Sequence, residues 1–367
     1  MILVVFGTTG ELIKLAPVLV RLDERGHRYL LATTGQQVEQ IPTFLEQFGL
    51  RPPDLWLARG AGGRDLRTNR DIPGWLSRVL RSFARRRRQL GSTLAGGSGR
   101  SLVLVHGDTM TTVLGAAMGR ALRVPVAHIE SGLRSFDLFH PFPEELNRRT
   151  TSRLAGIHYA PGRWAASNLR RPDVVDTGSN TIRDSLALAV EDGPPPDVLP
   201  DGPFGVVSLH RYELLGSRAA LTRTLEALAE AARRTPLLFV DHSVTAAALE
   251  RFRLHDLFDG DRFVRVPRLR FFDFVRVERR SAFVVTDSGG SQEECFYLDR
   301  PCLVHRKRTE RPEGLGENVV LSHMRTDVLR AFLEAPERYR RRSVLPDVSP
   351  TDVILADLER RGFAAGP

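Results

Sequence analysis

Ser101 to Arg149 constrains the fold more than any other stretch of the chain. Two short apolar runs, Leu102–Val105 and Val124–Ile129, have the length and β-branched content of buried strands. Thr112–Leu122, between them, carries a helical apolar pattern. A strand, helix and strand in this order make a βαβ unit with parallel strands covered on both faces. In open α/β sheets, ligands lie beyond the carboxyl ends of the strands. His106-Gly107-Asp108 follows the first run and Glu130-Ser131-Gly132 the second. Asp108 and Glu130 are therefore expected to project from adjacent strand ends into one crevice. A third acid, Glu144, follows in the loop Pro141-Phe142-Pro143-Glu144-Glu145. Carboxylates converging on one crevice point to proton transfer.

The same alternation runs through the rest of the chain. Ile2–Phe6 is a strand, Gly7-Thr8-Thr9-Gly10 a turn, and Glu11 to Arg25 a helix. This order presents helix N-terminal amides to an anion. Tyr29–Thr33 is a second strand. Residues 42–100 are helical and loop-rich, with glycine joints at 60–63 and 96–99. A helix over Pro143–Leu154 and a strand over Ile157–Ala160 follow. The segment 192–203, DGPPPDVLPDGP, is the expected joint between domains. Beyond it, strands are predicted at 204–209, 236–240, 263–266, 282–285 and 301–304, with helices at 218–233, 271–280, 327–333 and 350–361. The implied fold is α/β, with two Rossmann-like domains facing each other across a cleft. The expected boundaries are 1–178, 179–350, and a C-terminal helix over 351–367 that crosses back to the first domain.

Composition narrows the partners. The chain has 367 residues, and no apolar run approaches a membrane span. Met1-Ile2-Leu3 enters a strand at once, without a leader pattern, and Cys295 and Cys302 are too few for a disulfide framework. A cytoplasmic protein is expected. The net charge is +9, yet the 53 basic residues include only two lysines, Lys14 and Lys307. So strong an arginine bias is compositional. Arg85–Arg88 and Arg340–Arg342 are read as solvated helix faces, without the interleaved aromatics of a nucleic-acid platform. Against that background Lys14 is informative, because a compact ammonium suits places that a planar guanidinium does not.

Other groups fall at strand ends. Ser288-Gly289-Gly290 opens a helix and suits a phosphate, or is an ordinary glycine turn capped by Ser288. Arg311 is flanked by Glu310 and Glu313, so a structural ion pair competes with a ligand role. His210 ends a strand beside Arg211 and Glu213, open to either reading. His106 reads as structural. No cluster has metal-ligand spacing, so no metal is expected. A G-x-S-x-G elbow is absent, which removes the usual serine hydrolase signature.

Several blocks together resemble the UDP-N-acetylglucosamine 2-epimerase family. They are HGDTMTT at 106–112, HIESGLRS at 128–135, PFPEELNRR at 141–149, SLHRYE at 208–213, TDSGGSQEE at 286–294 and TERPE at 309–313. The resemblance implies the GT-B architecture and a nucleotide-sugar substrate. It also implies loss of the C2 proton as UDP leaves C1, through 2-acetamidoglucal, followed by return of UDP on the epimerised sugar. Asp108, Glu130 and Glu144 match the family's acid/base set, and His210 its histidine near the diphosphate. Lys14, Arg134, Ser288, Gly289, Gly290, Glu294 and Arg311 fall with its substrate-binding residues, and Phe274 where an aromatic packs near uracil. No cofactor is implied, and a homodimer is.

The chain departs from the family at informative places. Gly7-Thr8-Thr9-Gly10-Glu11 stands where G-T-R-P-E is common, so Thr9 replaces the arginine that faces the diphosphate. Gln36-Gln37-Val38 replaces the Q-H-R of the activator loop, and Tyr212 interrupts the HRRE block. Two alternatives stay open: a GT-B glycosyltransferase using a nucleotide-sugar donor, and a hydrolysing 2-epimerase that releases UDP and free N-acetylmannosamine.

Overall fold

A computed structural model describes residues 1–66, 68–96, 99–137, 142–191, 199–258, 260–345 and 347–363. It divides into two compact units, Met1–Ser185 with Pro346–Pro367, and Leu186–Leu345. Residues 192–198 of the Pro/Gly-rich segment lie outside the described residues, as does Pro141 of the acidic loop.

The first unit holds seven strands: β1 (Ile2–Phe6), β2 (Tyr29–Thr33), β3 (Leu55–Trp56), β4 (Leu102–His106), β5 (Val126–Ile129), β6 (Ile157–Ala160) and β7 (Val174–Asp176). They run in the order β3-β2-β1-β4-β5-β6-β7. Every pairing is parallel, with Val4 of β1 opposite Leu31 on one side and Leu104 on the other. All residues of β1, β4, β5 and β6 are buried, which is why their sequences are mainly apolar, broken only by buried histidines, rather than alternating. The Met110–Leu122 helix lies close against this sheet. A Cβ on its Gly115 would sit 2.7 Å from Val105 Cγ1, so only glycine permits the approach.

The second unit repeats the plan with β8 (Gly205–Ser208), β9 (Leu237–Asp241), β10 (Phe263–Pro267), β11 (Phe283–Thr286), β12 (Cys302–Val304) and β13 (Val319–Leu321). Their order is β10-β9-β8-β11-β12-β13, again all parallel. Phe239, Phe263, Phe283 and Phe332 pack in one of its cores. In each sheet the strand order reverses direction once, between β1 and β4 and between β8 and β11. These are the switch points where ligand crevices form.

The Pro350–Arg360 helix belongs to the first unit. Its Ile354, Leu355 and Leu358 are buried. Asp357 accepts from the Tyr159 hydroxyl at 2.9 Å and from Arg361 Nε at 2.6 Å, and Arg361 also holds Asp173 at 2.6 Å. Arg25 reaches Asp352 at 2.8 Å and Glu359 at 3.0 Å.

Arg85–Arg88 lie exposed on the Asp71–Ala95 helix, as expected of a solvated face. Arg340–Arg342 do not lie on a helix. They follow a short 3-10 turn, and Glu317 accepts the Arg342 amide at 2.7 Å. Among the described residues no helix is long and apolar enough to cross a membrane.

Because the Asp357 carboxylate is buried and closes several bonds at once, Asp357→Ala should destabilise the protein by about 2–4 kcal/mol. Urea unfolding of the purified variant reads this as a lowered midpoint. An unchanged midpoint would mean that the C-terminal helix contributes nothing to the first unit.

Candidate active site

The site of the first unit begins with the turn after β1. Thr8 caps the Thr9–Glu24 helix in a capping box with Glu11. Glu11 Oε2 accepts the Gly7 amide at 2.8 Å, the Thr8 amide at 2.9 Å and the Thr8 hydroxyl at 3.0 Å. Glu11 Oε1 accepts from Thr109 Oγ1 at 2.7 Å and Thr112 Oγ1 at 3.2 Å. Burial raises the Glu11 carboxyl's pKa, and these donors oppose the rise. The Thr9 amide and hydroxyl both go to Gln37 Oε1, at 2.7 and 2.8 Å. The expectation that this turn offers its amides to a ligand anion is thus corrected. The anion held there is the chain's own carboxylate, with the Gln37 carbonyl oxygen beside it. Gly7 is required by crowding, since a Cβ would collide with the Thr111 and Thr34 hydroxyls.

The acids stand off β4 and β5. Asp108 follows β4 on the loop that leads into the Met110–Leu122 helix, whose cap is Thr109. His128 Nε2 donates to the Gly107 carbonyl at 2.7 Å and fixes that loop. Burial pulls the His128 pKa down to about 4, so the ring is neutral at pH 7. Asp108 Oδ2 accepts from Arg148 Nε at 2.9 Å and Nη2 at 2.6 Å, and its carbonyl accepts from Asn147 Nδ2 at 2.8 Å. Glu130, in left-handed conformation with φ 64°, is buried. It ion-pairs with Lys14 and accepts from Asn180 Nδ2. Its Oε1 lies 3.9 Å from the position a Cβ would take on Gly107, the residue before Asp108.

Glu144 opens the Glu144–Leu154 helix, half-buried, next to Glu145. The two acids differ in kind. Glu145 is fully buried and takes Arg149 Nε at 2.8 Å, the Ser135 amide at 3.0 Å and Arg148 Nη1 at 3.4 Å. Arg148 therefore bridges Glu145 to Asp108. Arg134 donates to the Leu133 carbonyl at 2.7 Å and to Ser152 Oγ at 3.3 Å. His106 is buried at the end of β4.

In the second unit the switch point gathers His210 after β8 and Asp287-Ser288-Gly289-Gly290 after β11. Asp287 is buried and accepts the His210 amide at 2.9 Å and the Arg211 amide at 2.7 Å, which locks the two loops together. His210 Nδ1 lies 3.5 Å from Asp287 Oδ1, and the ring packs 4.6 Å from that of His242. Burial pulls the His210 pKa down to about 4, with Arg211, Arg268 and Arg306 adding repulsion.

Ser288 caps the Gly289–Tyr297 helix by accepting the Ser291 amide at 3.4 Å. Each buried polar side chain of that helix has its own task. Gln292 Nε2 donates to the carbonyls of Arg311 at 2.9 Å and Glu313 at 3.0 Å, fixing the 309–313 loop. Glu293 pairs with Arg311 at 2.6 Å. The ion pair foreseen for Arg311 exists, and Glu293 is one of its partners. Arg311 Nε would lie 3.2 Å from a Cβ on Gly289, so the guanidinium stands at the helix N-terminus. Glu294 Oε1 would lie 3.9 Å from a Cβ on Gly290. Phe274 is half-buried at the edge of a second core.

Sequence reasoning missed Asn180, Arg306 and the role of Glu11. Asn180 reaches Glu130 from 50 positions away. Arg306, after β12, is buried, and its Nε and Nη1 have no hydrogen-bond partner among the described residues, nor does Arg211 Nε. Arg306 Nη1 is 3.6 Å from Glu310 Oε2. Buried guanidinium N–H groups of this kind are donors prepared for an anion. Among the described residues no group of three or more His, Cys, Asp or Glu side chains could hold a metal ion.

Strand order and site define an α/β protein of two doubly wound units with polar groups at both switch points. A family model for UDP-N-acetylglucosamine 2-epimerase matches residues 21–346. The UDP-N-acetylglucosamine 2-epimerase of Bacillus subtilis is 32% identical over 362 residues, 93% of this chain and 89% of that protein. The one from Yersinia pestis is 33% identical over 341 residues, covering 87% and 85%. The crystal structure of UDP-GlcNAc 2-epimerase from Neisseria meningitidis bound to UDP-GlcNAc aligns with a TM-score of 0.78 at 26% identity, over 98% of this chain and 99% of that one. The chain belongs to the UDP-N-acetylglucosamine 2-epimerase family, a family of enzymes, and its α/β fold is of the GT-B type.

A neutral His210 has a direct signature. Its imidazole resonances should titrate below about pH 5 rather than near the unperturbed value of about 6.5. NMR of ring-labelled protein, assigned with His210→Gln, measures it. A midpoint between 6 and 7 would show that the ring is solvated and not buried against His242.

Proposed function

We propose that the protein interconverts UDP-N-acetylglucosamine and UDP-N-acetylmannosamine by eliminating UDP and adding it back. The observation that carries this reading is the pair of acids off neighbouring strands, Asp108 beside Gly107 and Glu130 against it. Epimerisation at C2 removes a proton from one face and returns one to the other, so it needs more than one acid/base group. Asp108, Glu130 and Glu144 supply them. Lys14 ion-pairs with Glu130 and Asn180 donates to it, which fixes its carboxylate in place. Arg148 pairs with Asp108 and orients it. The C2 proton is not acidic on its own. Departure of UDP from C1 therefore leads, and the carboxylates stabilise the oxocarbenium-like state that forms. The carbon acid then loses its proton to a carboxylate, giving 2-acetamidoglucal and UDP.

The departing diphosphate gathers negative charge and needs donors that are already in place. Ser288, Gly289 and Gly290 offer a helix N-terminus, joined by Arg311 and a neutral His210. Glu294 takes the ribose hydroxyls, and Phe274 packs near the uracil. Arg134 takes the place that the family pattern gives it, and Thr9 stands where the family's arginine faces the diphosphate. No cofactor takes part. The resemblance further implies a cytoplasmic homodimer serving polysaccharide or secondary-metabolite synthesis.

The test is incubation with UDP-N-acetylglucosamine in D2O, followed by NMR. Deuterium should enter C2 of both epimers while UDP-sugar is conserved. Accumulation of free N-acetylmannosamine and UDP would instead identify a hydrolysing enzyme, and absence of both exchange and UDP release would overturn the reading. Asp108→Asn keeps the shape of the group but not its basicity, and should lower kcat by about 100-fold or more. Unchanged turnover by that variant would remove Asp108 from the chemistry.

A further inference from the structure

The Phe271–Arg280 helix buries Phe271, Val275 and Glu278 on one face, at spacings of four and three. An acid stands where a third apolar side chain is expected. Glu278 is completely buried, with 0% exposure. No N–H or O–H among the described residues reaches either of its oxygens. The polar group it meets is another carboxyl, that of Glu294, with the Cys295 thiol nearby. Both neighbours belong to the Gly289–Tyr297 helix, the one that opens with Ser288-Gly289-Gly290.

Two carboxyl groups buried against each other cannot both be charged without a cation between them. For Glu278 no donor or cation among the described residues does this, since neither of its oxygens has a hydrogen-bond partner. One proton shared between the two carboxyls turns repulsion into a charge-assisted hydrogen bond. Of the two, Glu278 is the deeper, and Glu294 is the one that borders Gly290 at the helix N-terminus. We infer that Glu278 is protonated and donates to the carboxylate of Glu294, acting as a positioning residue that orients Glu294 as an acceptor for the nucleotide. Burial, and then the neighbouring Cys295 and Glu294, push the Glu278 carboxyl well above the ordinary carboxylate range, in keeping with this assignment.

The arrangement does two things for a ligand. It fixes the rotamer of a long side chain through a buried partner, so less freedom is lost when hydroxyls bind. It also leaves one negative charge rather than two behind the turn proposed for the diphosphate.

The inference rests on the reading that Glu294 accepts the ribose hydroxyls. Calorimetry with UDP and with 2′,3′-dideoxy-UDP separates the two claims. The wild type should bind UDP about tenfold or more tightly than the dideoxy analogue. Glu278→Met removes the donor at similar length. It should weaken UDP about tenfold, leave the dideoxy analogue within about twofold, and raise KM with kcat nearly unchanged. Glu278→Gln keeps an N–H donor and should return UDP affinity to within about threefold of the wild type. Equal affinity of the wild type for the two nucleotides overturns the role given to Glu294. A wild type that prefers UDP, with Glu278→Gln and Glu278→Met equally impaired or equally unaffected, overturns the role given to Glu278 alone. Should Glu278→Met fail to fold, infrared difference spectra of wild type and Glu278→Gln at neutral pH decide. A protonated-carboxyl C=O band must be present in the first and absent in the second, and its absence from the wild type overturns the inference.

Discussion

The Glu11 carboxylate ties the first unit together. Five donors from two places in the sequence end on its two oxygens: the Gly7 amide and the Thr8 amide and hydroxyl after β1, and the Thr109 and Thr112 hydroxyls after β4. β1 and β4 are the strands between which the sheet order reverses, so Glu11 closes the crevice at its base. Without it, the Gly7 and Thr8 amides would need other acceptors, and the Thr109 and Thr112 hydroxyls would lose their bonds to the first turn's helix. Asp108 sits one residue before Thr109. Its position therefore depends on a carboxylate that takes no part in the proposed chemistry.

The second unit solves the same problem with another acid. Asp287 follows β11 and accepts the amides of His210 and Arg211 after β8. Once more a buried carboxylate joins the two loops of a switch point. The parallel is physical. Carboxyl ends of parallel strands leave amides pointing outward, and an acceptor with two oxygens can satisfy amides from two loops at once. The candidate residues cluster at these ends, where a reversal of strand order opens a crevice.

How much of this was legible in the sequence follows from range. Strands such as Ile2–Phe6 and Tyr29–Thr33, and the Phe271–Arg280 helix, are marked by local apolar patterns, and they stand where those patterns place them. Leu55–Trp56 and Val319–Leu321 are too short to show a period and were invisible as strands. Arg340–Arg342 read as helix from charge alone, although no apolar stripe accompanied them. Among site residues, Asp108 and Glu130 could be read because each directly follows an apolar strand. Asn180 could not be, since its meeting with Glu130 depends on how a distant loop folds back. Arg306 was hidden for a different reason. In a chain that writes arginine almost everywhere, one more arginine carries no signal until its burial is seen. Glu278 did carry a signal, an acid on the apolar side of an amphipathic helix.

Charge balance in the second unit explains which of its groups are available to an anion. Glu293 is paired with Arg311, Asp287 is satisfied by two backbone amides, and Glu310 lies against Arg306. With Glu278 protonated, Glu294 contributes a single charge. The histidines add none at neutral pH, because burial holds both His210 and His242 down to about 4. Arg211 Nε and Arg306 Nε and Nη1 reach no hydrogen-bond acceptor among the described residues. Repulsion from Arg211 and burial lower the Arg306 pKa, while Glu310 and Glu213 oppose that. Two guanidinium groups kept so close without full partners cost stability. A diphosphate would relieve that cost on binding, because its oxygens would accept the idle donors and its charge would offset the two cations. Under the proposed function, these donors of the second unit offset the lack of an arginine at Thr9.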